Sequence, residues 1–162
     1  MQVREATPVD AAAIAQIYNY YVGNTVITFE EEAVPADEMS RRIAEVQSRS
    51  LPWLVGELDG EIVGYSYAAP WKARAAYRQS VETTIYLRHG MEGRGIGRTL
   101  YSALLPILRE RGIHAVIGGA ALPNPASAAL HAALGFERVA TFREVGFKFG
   151  RRIDVAYWQR VL

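Results

Sequence analysis

Ser80-Val81-Glu82-Thr83-Thr84-Ile85-Tyr86-Leu87-Arg88-His89-Gly90-Met91-Glu92-Gly93-Arg94-Gly95-Ile96-Gly97-Arg98 is the stretch whose reading decides the fold. Val81, Thr83, Ile85 and Leu87 alternate with Glu82, Thr84 and Tyr86, so Ser80 to Leu87 reads as a strand with two distinct faces. Gly93, Gly95 and Gly97 then punctuate a turn. A helical period follows it, with Ile96, Leu100, Ala103, Leu104, Ile107 and Leu108 on one side. Pro106 inside this period should kink the helix. Gly112 ends it, and Ile113 to Gly119 reads as the next strand. Strand, glycine turn, helix and strand in that order predict a parallel crossover.

Moving outward, the signals turn antiparallel. Trp53 to Leu58 and Glu61 to Ala69 flank Asp59-Gly60, a two-residue hairpin signal. Pro35 opens a helix whose apolar face is Met39, Ile43 and Val46. Before it, Val3 to Ala6 is a short strand. Thr7 then serves as N-cap, Pro8 as first helical residue and Asp10 as first-turn acid of a helix faced by Ile14, Ile17, Tyr18 and Tyr21. On the C-terminal side a short helix runs from about Pro125 to Leu134 and closes at Gly135. Two last strands surround Phe149-Gly150-Arg151-Arg152, with the arginines as a charged turn. The expected architecture is α/β, with a single mixed, mostly antiparallel twisted sheet flanked by helices. No linker, repeat or low-complexity stretch divides it, so residues 1–162 are expected to form one domain.

Composition narrows the chemistry. The chain is 50% hydrophobic and 22% charged, with a net charge of +1. That balance gives no electrostatic case for nucleic acid or an anionic membrane. Without cysteine there is no disulfide, thiolate nucleophile or cysteine metal site. His89, His114 and His131 are scattered, so no metal is expected. Met1 to Glu5 has no apolar signal core and no window approaches a membrane span, so a cytoplasmic protein is expected.

Two motifs carry chemistry. Gly93, Arg94, Gly95, Ile96, Gly97 and Arg98 sit between a strand end and a helix start. Glycines there let backbone N–H groups approach an anion, and the helix dipole favours negative charge. The segment therefore reads as a pyrophosphate cradle, with a tight turn of purely geometric purpose as the alternative. No Gly-Lys-Ser/Thr follows, which excludes a Walker phosphate loop. The G-x-G-x-G spacing and late position also argue against a dinucleotide fold. The second motif is Asn124-Pro125-Ala126-Ser127 followed by His131 and Gly135-Phe136.

With these motifs the sequence resembles the GCN5-related N-acetyltransferase superfamily. Its R/Q-x-x-G-x-G/A turn maps onto Glu92, Gly95 and Gly97, with Glu92 departing from the usual Gln or Arg. Further blocks are similar to the phosphinothricin N-acetyltransferase subfamily: Trp53-Leu54-Val55, Pro70 to Tyr77, Ser80 to Thr84, Leu122-Pro123-Asn124, Leu130 to Gly135 and Ala156 to Arg160. The resemblance runs over almost the whole chain. It implies acetyl-CoA as co-substrate, a homodimer, and an amino-acid acceptor of the phosphinothricin, methionine sulfoximine or methionine sulfone type. It places the coenzyme on Ile85, Tyr86 and Leu87, on the Gly93 to Arg98 turn, and on Asn124 and Ser127.

The remaining candidates divide between the residues themselves and the resemblance. Glutamate is disfavoured in mid-strand, so Glu82 is either a solvated strand residue or a partly buried base. The attacking amine must be neutral, and a carboxylate of raised pKa suits that deprotonation. The resemblance favours the base. His131 stands where many superfamily members carry a tyrosine that protonates the departing thiolate. Histidine can act as acid or base there, or be a packed helix residue. Lys72, Arg74 and Tyr77 are a solvated loop on composition alone. The resemblance makes them, with Phe29 and Thr84, the grip on a substrate carboxylate or anionic end. The run Glu30-Glu31-Glu32 keeps a polyamine or aminoglycoside acceptor open, a protein N-terminus is a further alternative, and a non-catalytic coenzyme A sensor is the alternative of a different class.

Overall fold

The computed structural model describes residues 1–162. Seven strands and four helices follow in order: β1 (Gln2–Glu5), α1 (Ala11–Asn24), α2 (Ala36–Ser48), β2 (Trp53–Leu58), β3 (Glu61–Pro70), β4 (Ser80–Leu87), α3 (Ile96–Glu110), β5 (Ala115–Ala121), α4 (Pro125–Ala133), β6 (Glu137–Lys148) and β7 (Arg151–Val161). They form one sheet of order β1-β2-β3-β4-β5-β7-β6. Only β4 and β5 pair in parallel, joined by the crossover through α3; every other neighbour is antiparallel. The mixed, mostly antiparallel sheet is therefore the expected one.

Each face of the sheet has its own cover. A Cβ on Gly64 would meet Leu100 of α3 at 3.4 Å, whereas the next residue, Tyr65, meets Tyr86 at 5.7 Å between rings. Tyr86 in turn packs against Tyr18 and Tyr21 of α1. Successive strand residues point to opposite faces, so α3 covers one side and α1 with α2 the other. The buried apolar residues Ile14, Tyr65, Val81, Leu100 and Leu104 lie in one contiguous core. No helix is long and apolar enough to cross a membrane.

Local departures from expectation have local causes. The first helix begins as a 3-10 turn, Pro8–Asp10, before α1. Asp10 turns its carboxylate back to the Thr7 N–H at 2.7 Å and is gripped by Arg4 at 2.8 and 2.9 Å. Pro106 does not interrupt α3, which continues to Glu110. Pro106 and Ser102, whose carbonyl lost its partner, are both exposed to water. β5 starts at Ala115, not at Ile113, because Ile113 still belongs to the end of α3. Its N–H donates to Leu108 O at 3.0 Å while Gly112, at φ +78°, donates to Arg109 O, a Schellman closure. Arg151 and Arg152 open β7; the turn is Phe149-Gly150, both at positive φ.

Candidate active site

β4 and β5 are hydrogen-bonded only from Ser80–Ala115 to Thr83–Gly118. Beyond that point β4 stays with β3 as far as Leu87, and β5 stays with β7 as far as Ala121. The two facing edges part, and the gap opens into a cavity of about 560 Å³. Every expected coenzyme residue lines it except Arg94: Ile85, Tyr86, Leu87, Gly93, Gly95, Ile96, Gly97, Arg98, Asn124 and Ser127. Arg94 is exposed on the same turn.

The turn presents glycine backbone at the start of a helix. Gly93 and Gly95 have φ of +75° and +78°, and Gly95 is the N-cap of α3. Nothing lies within 4 Å of where their Cβ atoms would be, so the left-handed backbone, not crowding, selects glycine. The first N–H groups of α3 thus point to the cavity mouth without side chains in the way. Glu92 accepts a hydrogen bond from Gly90 N at 2.8 Å. The residue at the family's Gln or Arg position is occupied in shaping its own turn. Asn124 Oδ1 caps α4 by accepting from Ser127 N at 3.0 Å, so its amide nitrogen is the part left for a ligand.

The two proposed catalytic residues stand on opposite faces of the sheet. Glu82 shares its face with Gly119 and Tyr157: a Cβ on Gly119 would lie 3.4 Å from Glu82 Oε1 and 2.8 Å from Tyr157 Cε1. His131 lies behind Gly118, whose Cβ would come within 2.2 Å of Nε2. Both residues still line the cavity, because the sheet is open at that point.

Their electrostatics differ accordingly. Burial raises the Glu82 pKa above the ordinary carboxylate range, and the nearby Lys72 ammonium offsets part of this. Burial and the Glu82 charge also raise the Tyr157 phenol. His131 is 2% exposed, stacked on Trp158 at 5.1 Å and met by the edge of Phe136. Its Nδ1 lies 2.8 Å from the Ser127 carbonyl, which can only accept, so Nδ1 carries the proton. Nε2 is left as a buried acceptor without a partner. Burial holds the His131 pKa below its usual value, opposed by the Ser127 hydrogen bond.

The expected acceptor residues separate. Thr84 and Phe29 line the cavity. Lys72, Arg74 and Tyr77 are exposed on the segment joining β3 to β4 and lie outside its lining. Lys72 sits over the Trp71 ring at 4.9 Å, and Trp71 meets the Tyr157 ring edge-on. Of the Glu30-Glu31-Glu32 run, Glu30 pairs with Arg42 at 2.7 and 2.8 Å and accepts from Tyr18, while Glu31 and Glu32 are exposed and none of Glu30, Glu31 and Glu32 lines the cavity. Sequence reasoning missed Tyr157, Gly119, Tyr101, Ile27 and Thr28, all of which line the cavity. Tyr157 is placed by the pairing Gly119–Tyr157, a register that no local pattern announces. No group of three or more His, Cys, Asp or Glu residues is placed to hold a metal.

Known proteins are similar to this chain in sequence and in fold. Residues 3–157 match the acetyltransferase (GNAT) domain family. The chain is 39% identical over 160 residues to the phosphinothricin N-acetyltransferase of Streptomyces viridochromogenes, covering 99% of this chain and 87% of that protein. It is 36% identical over 162 residues to the L-methionine sulfoximine/L-methionine sulfone acetyltransferase of Salmonella typhimurium, covering 98% and 93%. The crystal structure of a phosphinothricin acetyltransferase from Sinorhizobium meliloti in complex with AcCoA has a TM-score of 0.96 at 37% identity, covering 99% of this chain and 88% of that one. A family match over nearly the whole length, joined to a sheet that opens beside a glycine turn, places the chain in the GNAT acetyltransferase family.

Proposed function

We propose that this protein transfers the acetyl group of acetyl-CoA to the α-amine of a small amino acid of the phosphinothricin or methionine sulfoximine type, directly and in one ternary complex. Acetyl-CoA supplies an activated acyl carbon and a thiol leaving group. The α3 N-terminus and the Gly93 to Arg98 turn hold its pyrophosphate, with Arg94 and Arg98 adding positive charge. The free edge of Ile85 to Leu87 offers backbone N–H groups to the pantetheine arm and the acyl oxygen, and Asn124 and Ser127 border the same arm.

The observation that carries this reading is Glu82, a half-buried carboxylate of raised pKa at the point where β4 leaves β5. The other acid lining the cavity, Glu92, already holds Gly90. Glu82 takes a proton from the substrate ammonium, and the neutral amine is then the nucleophile. As the amine nitrogen bonds to the acyl carbon the C–S bond breaks, and the second proton that the new amide sheds goes to the departing thiolate, so that coenzyme A leaves as the thiol; His131, neutral and with Nε2 as acceptor, stands on the sulfur side of this exchange. Thr84 and Phe29 border the acceptor, and Lys72, Arg74 and Tyr77 meet its carboxylate or anionic end at the rim. Glu82→Gln lowers kcat by roughly 10²–10⁴-fold with acetyl-CoA affinity nearly unchanged. A thiol-release assay pairing each amino acid with its decarboxylated amine tests both halves of the reading. Wild-type turnover in Glu82→Gln overturns the base, and equal acetylation of the bare amines overturns the amino-acid acceptor.

We further propose that the enzyme works in the cytoplasm as a homodimer. The sheet ends on β6, which exposes Val139, Phe142, Val145 and Phe147 in one strand, each more than half accessible. An apolar edge of this size is a docking surface in a stable protein. Light scattering is expected to give twice the 18.0 kDa chain mass; a monomer across the working concentration range overturns it.

A further inference from the structure

Lys148 is a charged group that the acetyl transfer leaves unused, and it is 1% exposed. It ends β6, and its Nζ donates to Val22 O and to Thr28 O, both at 2.8 Å, across 126 and 120 residues of sequence. Both partners are carbonyls. Val22 belongs to the last turn of α1, where carbonyls lack intrahelical partners and carry the negative end of the helix dipole. The Phe149 ring lies 5.1 Å away on another side. A buried ammonium is tolerated when dipoles of this kind surround it.

What the ammonium holds is the segment between α1 and α2. Thr28, whose carbonyl it binds, is flanked by Ile27 and Phe29, and all three line the cavity. Two residues before Lys148, Gly146 lies directly beneath Phe29: a Cβ there would be 2.3 Å from Phe29 Cζ and 2.7 Å from Cε2. The Tyr18 hydroxyl steadies the same segment through Thr28 Oγ1 at 2.7 Å. One end of β6 therefore provides both a clamp on the Thr28 backbone and a seat for the Phe29 ring.

We propose that Lys148 is a positioning residue, clamping the α1–α2 segment so that Phe29 rests on Gly146 as one wall of the acceptor subsite. The proposal rests on the reading that Phe29 borders the acceptor. Without the ammonium, Thr28 O loses its anchor and the Phe29 ring leaves its seat. The coenzyme turn, Gly93 to Arg98, lies elsewhere in the cavity and is untouched.

Steady-state kinetics on four variants tests this, with the amino acid and acetyl-CoA varied separately. Phe29→Ala is expected to raise KM for the amine by about tenfold and leave KM for acetyl-CoA within about twofold, as loss of one apolar wall does. Lys148→Met keeps the length of the side chain but cannot donate, and it should show the same split. The double variant should be no worse than Phe29→Ala alone, because both changes act through one ring. Gly146→Ala, which unseats Phe29 with Lys148 intact, should reproduce the split and carries the test alone if Lys148→Met does not fold. A purely structural lysine would lower the active fraction, and so kcat, with both KM values unchanged. Fully additive effects, wild-type amine KM in a folded Lys148→Met, or wild-type amine KM in Gly146→Ala each overturn the proposal while Phe29→Ala still supports the acceptor subsite. An unchanged amine KM in Phe29→Ala overturns that subsite and the proposal with it.

Discussion

Adding one methyl group at Gly118 and at Gly119 should damage two different properties. At Gly118 the new Cβ would lie 2.2 Å from His131 Nε2 and 2.9 Å from Cδ2. The imidazole has nowhere to go, being stacked on Trp158 and edged by Phe136. Overpacking of this kind costs about 1–3 kcal/mol, or about 3 to 10 °C in melting temperature for a domain of this size. At Gly119 the Cβ meets Tyr157 Cε1 at 2.8 Å and Glu82 Oε1 at 3.4 Å. Tyr157 is only half-buried and gives way, so Gly119→Ala should keep its melting temperature within about 2 °C of wild type. The displaced ring and carboxylate enter the acceptor space, and a shift of about 1 Å there costs on the order of 10²-fold in kcat/KM. Calorimetry and thiol release on both variants read the two effects, and His131→Ala should restore part of the stability lost in Gly118→Ala. An unshifted melting temperature in Gly118→Ala, or wild-type kcat/KM in Gly119→Ala, refutes the assignment of His131 and Glu82 to opposite faces.

Lys72→Met removes the positive charge that holds the Glu82 pKa down, so the acid limb of the kcat/KM profile should move to higher pH. A limb that stays put or moves down shows that Glu82 is not the titrating base. Asp10 is 5% exposed, and the Arg4 hydrogen bond, helped by Thr7, lowers its pKa from 3.8 to about 2. Its contribution to stability is fully present above pH 3.8 and is lost as pH falls through about 2. Asp10→Asn should therefore cost about 2 kcal/mol at neutral pH, with the difference from wild type closing in acid; denaturant melts at several pH values check it.

The legible parts of this fold were those written in local pattern. β4 was readable from end to end because its period of two and its glycine boundary lie in one short window. The Asp59-Gly60 hairpin and the glycine turn before α3 were readable for the same reason. The start of β5 was misplaced because a Schellman closure belongs to backbone carbonyls that residue types do not display. The relation between Glu82 and His131 was hidden for a different reason. It depends on Thr83 pairing with Gly118 and on Gly119 pairing with Tyr157, and register between distant strands leaves no trace in spacing. Lys148 reads in sequence as one more strand cation, since its burial comes from α1 and the segment after it. Acetyl-CoA and an amino-acid acceptor came from resemblance alone; composition and period stop at an anion-binding turn beside a carboxylate.

The short parallel seam between β4 and β5 has a mechanical consequence. Four strands lie on one side of it and three on the other, and within the sheet only the pairs from Ser80–Ala115 to Thr83–Gly118 join the two halves. A ligand lying in the gap would contribute what a missing stretch of strand would have contributed, with the unpaired edge of β4 on one side and β5 on the other. In the binding mode proposed above, coenzyme would thus be a temporary structural element of the sheet as well as a reactant. Without it, the two parts of the sheet are joined by that short seam and by the α3 crossover.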